Sequence, residues 1–189
     1  SSSFAALAAL LLWTACGSPG HTDIDTDDVD LDLRIARLDQ DLFHATPTTM
    51  AQVSLKAYAD HGAFYRSYIE DILQGAPVDD PRLPEVLNAF VTDPDWSSVQ
   101  HAVDSVLGDL EPQRSDLEGA FERLKVLFPD SITPRVIAFN SGFNFGIFPT
   151  DSVLGFGVEW FIGKDHPVIG YLAPDAFPQY VKDRMMPEM

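Results

Sequence analysis

A chain of 189 residues, 46% hydrophobic and 11% aromatic, is long and apolar enough to bury one ordinary core, so a single domain is expected. The formal charge of −17 repels nucleic acid and anionic lipid surfaces, which excludes both as electrostatic partners and points to neutral or basic ones. With one cysteine there is no internal disulfide.

Residues 1–15 carry no charged side chain, and Phe4 to Trp13 form an apolar run of ten residues. A bilayer needs about twenty, so the run fits the hydrophobic part of an export signal. It ends in Leu12-Trp13-Thr14-Ala15-Cys16-Gly17, which resembles the lipobox of bacterial lipoproteins. On that reading residues 1–15 are a lipoprotein signal peptide and Cys16 is the lipid attachment site, with the bilayer as its partner. No initiator Met precedes the run, so residues are expected upstream of Ser1. Residues 16–28, rich in Gly, Pro, Thr and Asp, read as a flexible tether. Asp23, Asp25 and Asp27 imitate the start of a calcium loop, but Asp28 stands where that loop needs Gly and Arg34 where it needs Glu.

The folded part is assigned to 29–189. Val29, Leu31, Leu33 and Ile35 alternate with Asp30, Asp32 and Arg34 and predict a half-buried strand. Apolar residues at three- and four-residue steps from Val53 to Ile72 predict two helices joined near His61-Gly62. Two more helices follow, one burying Leu83, Val86, Leu87 and Phe90, the next Val99, Val103, Val106 and Leu107, with Asp93 to Ser98 as a turn that caps it. A longer helix from Pro112 to Phe128 places Leu117, Phe121, Leu124 and Leu127 or Phe128 on one side. Pro134 then introduces three strands, Arg135 to Phe139, Phe143 to Phe148 and Val153 to Phe161, with turns at Asn140-Ser141-Gly142 and Pro149-Thr150-Asp151. The whole predicts an α+β domain in which an N-terminal helical region packs on a small, mostly antiparallel sheet.

The residues that carry chemistry are sparse. Asp151, Glu159, Asp165 and His166 gather around the third strand, where alternation with Val158 and Trp160 points Glu159 outward to solvent. Asp165 and His166 fall in the loop beyond it, and Asp165 is suited to accepting backbone N–H groups in a tight turn. His101 and Asp104 share a helix face, yet two ligands do not make a metal site. None of the five histidines has a second four residues on, no phosphate-binding glycine loop is complete, and Ser141 lacks the frame of a nucleophile elbow. No catalytic residue, metal or cofactor is assigned. The aromatic hairpin reads as core face and rim, with Phe143, Phe145, Phe148 and Trp160, flanked by Asp165 and His166, as the expected partner-contact surface.

In order and spacing, Arg37-Leu38-Asp39-Gln40-Asp41-Leu42-Phe43, the Phe128-Pro129 helix end, Ser141-Gly142-Phe143, Gly155 through Pro167, Phe177 to Tyr180 and Arg184 to Glu188 resemble the gliding-motility lipoproteins of the GldB type found in Bacteroidetes. The resemblance implies a lipid-anchored, non-enzymatic component of a cell-envelope assembly outside the cytoplasm, whose partners are other proteins of the motility or secretion machinery. It further implies that the chain is incomplete at its C-terminus, so that an apolar face is left more exposed than in a finished domain. The family is also distantly similar to zinc metallopeptidase scaffolds, and the rival expectation is such an enzyme with its H-E-x-x-H helix beyond Met189.

Overall fold

The computed structural model describes residues 24–163 and 166–171. Four strands form one mixed sheet: β1 (Ile35–Arg37), β2 (Arg135–Phe139), β3 (Ile147–Pro149) and β4 (Val153–Gly157), in the order β1-β2-β4-β3. Six helices lie between β1 and β2: α1 (Leu38–Phe43), α2 (Met50–His61), α3 (Ala63–Ser67), α4 (Leu83–Thr92), α5 (Pro94–Leu107) and α6 (Glu111–Leu127). Helices and strands are thus segregated along the chain, and the architecture is α+β.

The sheet is mixed where a mostly antiparallel one is predicted. β1 runs parallel to β2 and β2 parallel to β4, with only β3 antiparallel to β4. The expected hairpin after β2 does not form because residues 140–146 spend their polar groups on the interior. The chain instead passes beyond the position of β4, lays β3 at the far edge, and turns through Pro149 to Ser152 so that β4 inserts beside β2. That second turn lies where the sequence puts it, closed by Thr150 N–H donating to Val153 O at 2.8 Å.

Alternation along the strands divides the core into two layers. Ile137, Phe139 and Val153 face α1 to α4, where Leu38, Leu42, Met50, Phe64, Tyr65, Ile69 and Leu87 are buried. Val136, Ala138 and Phe156 face the other way, toward Val99, Val103 and Leu107 of α5 and Leu117 of α6. α3 continues into a π-helical turn, Tyr68–Ile72, whose wider winding puts Tyr68, Ile69 and Ile72 all into the core. Asp93 caps α5 through N–H bonds from Asp95 and Trp96 at 2.9 and 3.3 Å, so the helix starts at Pro94, inside the stretch expected to be a turn.

Three predicted strands shrink, and of the one expected over Phe143 to Phe148 only Ile147–Pro149 is extended and paired. Of the strand predicted over 29–35 only its end is paired, because upstream the Leu33 N–H is occupied by Glu118 Oε1 of α6 at 3.0 Å rather than by a neighbouring strand. The third predicted strand stops at Gly157, where the chain turns inward as a 3₁₀ helix, Val158–Phe161. A second 3₁₀ helix, Pro167–Tyr171, places Val168 and Ile169 against the α5 and α6 layer.

Candidate functional site

The three parallel strands end side by side, and their carboxyl ends carry a chain of polar groups drawn into the core. In open parallel sheets this edge is where ligands bind, so its chemistry decides what the fold can do. β1 ends in Arg37, which with Asp39 at the start of α1 makes a bidentate pair: Nε donates to Oδ1 at 2.9 Å and Nη2 to Oδ2 at 2.7 Å. Asp39 is 0% exposed, and it also accepts from Gln100 Nε2 of α5 at 3.0 Å. Gln100 Oε1 accepts from Asn140 Nδ2 at 3.1 Å, and Asn140, directly after β2, takes the Tyr68 hydroxyl on its backbone oxygen at 2.7 Å.

Toward the surface the same chain ends at Asp104. Its Oδ1 accepts from Gln40 and Gln100, and its Oδ2 lies 3.1 Å from His44 Nε2. Burial pushes the Asp104 carboxyl up, but these hydrogen bonds outweigh it and leave the group below the usual carboxylate range. The histidine that reaches Asp104 is therefore His44, directly after α1, whereas the sequence pairs it with His101 on its own helix.

At the inner end, beyond β4, stands Glu159, which is 0% exposed and not on an outward strand face. One oxygen, Oε1, accepts three donors: Ser141 N at 2.8 Å, Ser141 Oγ at 2.5 Å and Phe143 N at 3.1 Å. The other, Oε2, has no hydrogen-bond partner. Burial raises the carboxyl, the bonds from Ser141 and Phe143 pull it down, and the balance leaves it pushed up to about 7. Tyr68, equally buried and close to this charge, is held well above its ordinary value by burial first and by Glu159 second. Ser141 Oγ is engaged on every side, donating to Glu159 and accepting from Asn144 N and Phe145 N at 3.1 and 3.0 Å.

The expected contact residues divide. Phe143 is buried between Trp96 and Trp160, with ring centroids 6.4 and 5.2 Å away, and so serves packing rather than contact. Phe145 is 38% exposed and meets the partly buried Phe148 edge-on at 5.8 Å. Trp160 is partly buried against the α5 layer. His166 Nε2 lies 3.4 Å from Ser98 Oγ, and its Nδ1 accepts from Val168 N. Cys16 and Asp165 lie outside the described residues. Asp151 sits exposed in the β3–β4 turn, far along β4 from Glu159. Among the described residues no three His, Cys, Asp or Glu side chains gather to hold a metal, and no helix is long and apolar enough to cross a membrane.

A cleft of about 750 Å³ opens at the other, amino-terminal edge of the strands. Its lining includes Arg34, Lys56 and Arg135 together with Asp32 and Asp60, and the cations Arg34 and Lys56 are already paired, with Asp32 and Asp60 respectively. The polar chain at the carboxyl edge is the reverse: closed to solvent at Asn140, Ser141 and Glu159 and almost fully hydrogen-bonded. Such an arrangement fixes the loop after β2 and the turn after β4.

No curated protein and no solved structure matches the chain. The model of one family, described as the gliding motility protein GldB and designated a lipoprotein family, matches residues 20–189. The polar loop after β2 and the buried turn after β4 fall within this span, and the chain belongs to the GldB family of gliding-motility lipoproteins.

Proposed function

We propose that this protein is a lipid-anchored, non-enzymatic component of a cell-envelope assembly serving gliding motility and its associated secretion machinery. Cys16 carries the lipid, residues 16–28 space the domain from the membrane, and the α+β domain stands outside the cytoplasm. The observation that carries the reading is the family match over residues 20–189, joined to an apolar run that ends at the single cysteine. The closed carboxyl edge supports a scaffold role, since its acid, hydroxyl and amide groups are consumed in holding loops together. Partner proteins dock on the rim formed by Phe145, Phe148 and Trp160.

Cys16→Ala with membrane fractionation tests the anchor: the variant is expected in the soluble fraction and without incorporated radiolabelled palmitate. Membrane retention equal to the wild type refutes it. Colony spreading of a strain carrying Phe145→Ser tests the rim, with lost spreading at normal protein level expected and normal spreading counting against it.

A further inference from the structure

The two fully buried carboxyls at the carboxyl edge of the sheet are compensated in different ways. Asp39 faces a guanidinium. Among the described residues Glu159 faces only neutral donors, the Ser141 and Phe143 groups falling on Oε1 while Oε2 makes no hydrogen bond to another residue. The ionisable group facing it from the helices is Tyr68, whose proton is committed to Asn140 O. Asp39 from α1 and Asp104 from α5 lie further along the chain, beyond Gln100, and His166 sits against Ser98 at the start of α5. Tyr68 and Asp39 bring no positive charge to the site.

The segment held by this carboxyl is itself strained. Gly142 and Phe143 both adopt the left-handed region, at φ 64°, a conformation that a bulky residue such as Phe holds only when its surroundings impose it. What imposes it is the pair of backbone N–H bonds from Ser141 and Phe143 to Glu159, together with the seating of Phe143 between Trp96 and Trp160. The strained segment leads directly to β3, the edge strand of the sheet.

We propose that Glu159 and the 140–146 loop form a proton-operated latch: the loop is held closed over the carboxyl end of the sheet while Glu159 is protonated, and is released when the carboxyl ionises. Among the described residues no cation faces the carboxyl, so ionisation buries an uncompensated negative charge, and the state that relieves it is the one in which the loop lifts and water reaches the carboxyl. With the closed carboxyl at about 7 and a solvated one at 4.5, the open loop gains population as pH rises from about 4.5 and levels off above 7. Between pH 5 and pH 7 the opening constant then rises roughly forty-fold. Phe143 leaves its seat when the loop lifts, which exposes the faces of Trp96 and Trp160.

The test is hydrogen exchange at the Ser141 and Phe143 amides of the full chain from pH 4 to 8, corrected for the intrinsic exchange rate, with tryptophan emission recorded in parallel. The wild type is expected to lose protection steeply over the acidic half of that range and to level off above neutrality. Glu159→Gln, which keeps an acceptor oxygen but cannot titrate, is expected to show no such step. Ser141→Ala removes a donor that favours the ionised form and is expected to move the plateau to higher pH, which keeps the idea open to refutation should the glutamine variant fail to fold. Flat protection in the wild type, or a step of unchanged position in both variants, overturns the latch.

Discussion

Asp39→Ala is the perturbation whose cost the structure defines most fully. The substitution removes the bidentate acceptor of Arg37, a side chain only 13% exposed, and one of the two acceptors of Gln100 Nε2. Stripping one partner from a buried ion pair costs about 3–5 kcal/mol, because the other charge stays in the interior. Two contacts soften that figure here. Arg37 Nη2 lies 3.8 Å from Asp104 Oδ1, close enough to shift toward it, and Gln100 keeps its bond to Asp104 at 3.2 Å. A loss of about 2–4 kcal/mol is expected, read as a lower midpoint in urea unfolding at an unchanged slope. The double variant Arg37→Met/Asp39→Leu removes both charges and fills the same space, and it should recover most of the loss. A single variant within about 1 kcal/mol of the wild type, or a double variant that falls by the sum of the two singles, would refute the assignment of this pair as mutually compensating.

Gly157→Ala should destabilise by about 2–3 kcal/mol in thermal or urea unfolding, because its Cβ would sit 2.3 Å from the Phe145 backbone oxygen, which cannot swing away as a side chain would. Phe143→Ala should lose about 3–5 kcal/mol and Phe145→Ala under about 1 kcal/mol, a contrast that separates the buried ring from the exposed one in the same melting experiment. Asp93→Ala removes the acceptor for two N–H groups at the start of α5 and should cost about 1 kcal/mol, measured by the loss of helical ellipticity on heating.

The elements that the sequence makes legible are those whose periodicity is long enough to outweigh local noise. β2 occupies the predicted span, and α2 with α3 divides at Gly62, where φ is 53°. α6 runs from Glu111 to Leu127 against a predicted start at Pro112. Its burial is another matter: among its residues only Leu117 is fully buried, while Leu127 and the following Phe128 remain 58% and 61% exposed. Periodicity reports which residues share a face and not whether anything lies against it. α1 escapes prediction because six residues hold fewer than two turns, too short for a period, and Arg37 before it provides no side-chain cap. The parallel pairing is invisible for a different reason. Loops 140–146 and 150–152 read equally well as two hairpin turns, and the choice between them is made by Glu159, Tyr68 and Gln100, remote residues that claim the polar groups of the first.

Glu159 is the residue that a strand period misplaces most. Alternation sends it outward because Val158 and Trp160 are apolar, and the error follows from the chain leaving extended geometry at Gly157, the one position there where a side chain cannot fit against Phe145 O. Once the backbone turns, neighbouring residues no longer divide between two faces, and Val158, Glu159 and Phe161 all enter the core. The carboxyl is then fixed by three neutral donors and the loop after β2 is fixed in turn by the carboxyl. Asp39 binds β1 and α1 together through its bidentate pair with the Arg37 guanidinium. Glu159, which faces no cation among the described residues, binds β2 and β4 together in a way that weakens as it ionises. Two buried acids at one edge of the sheet therefore set two different properties: the first how firmly the helical layer holds, the second at what pH the loop between the strands lets go.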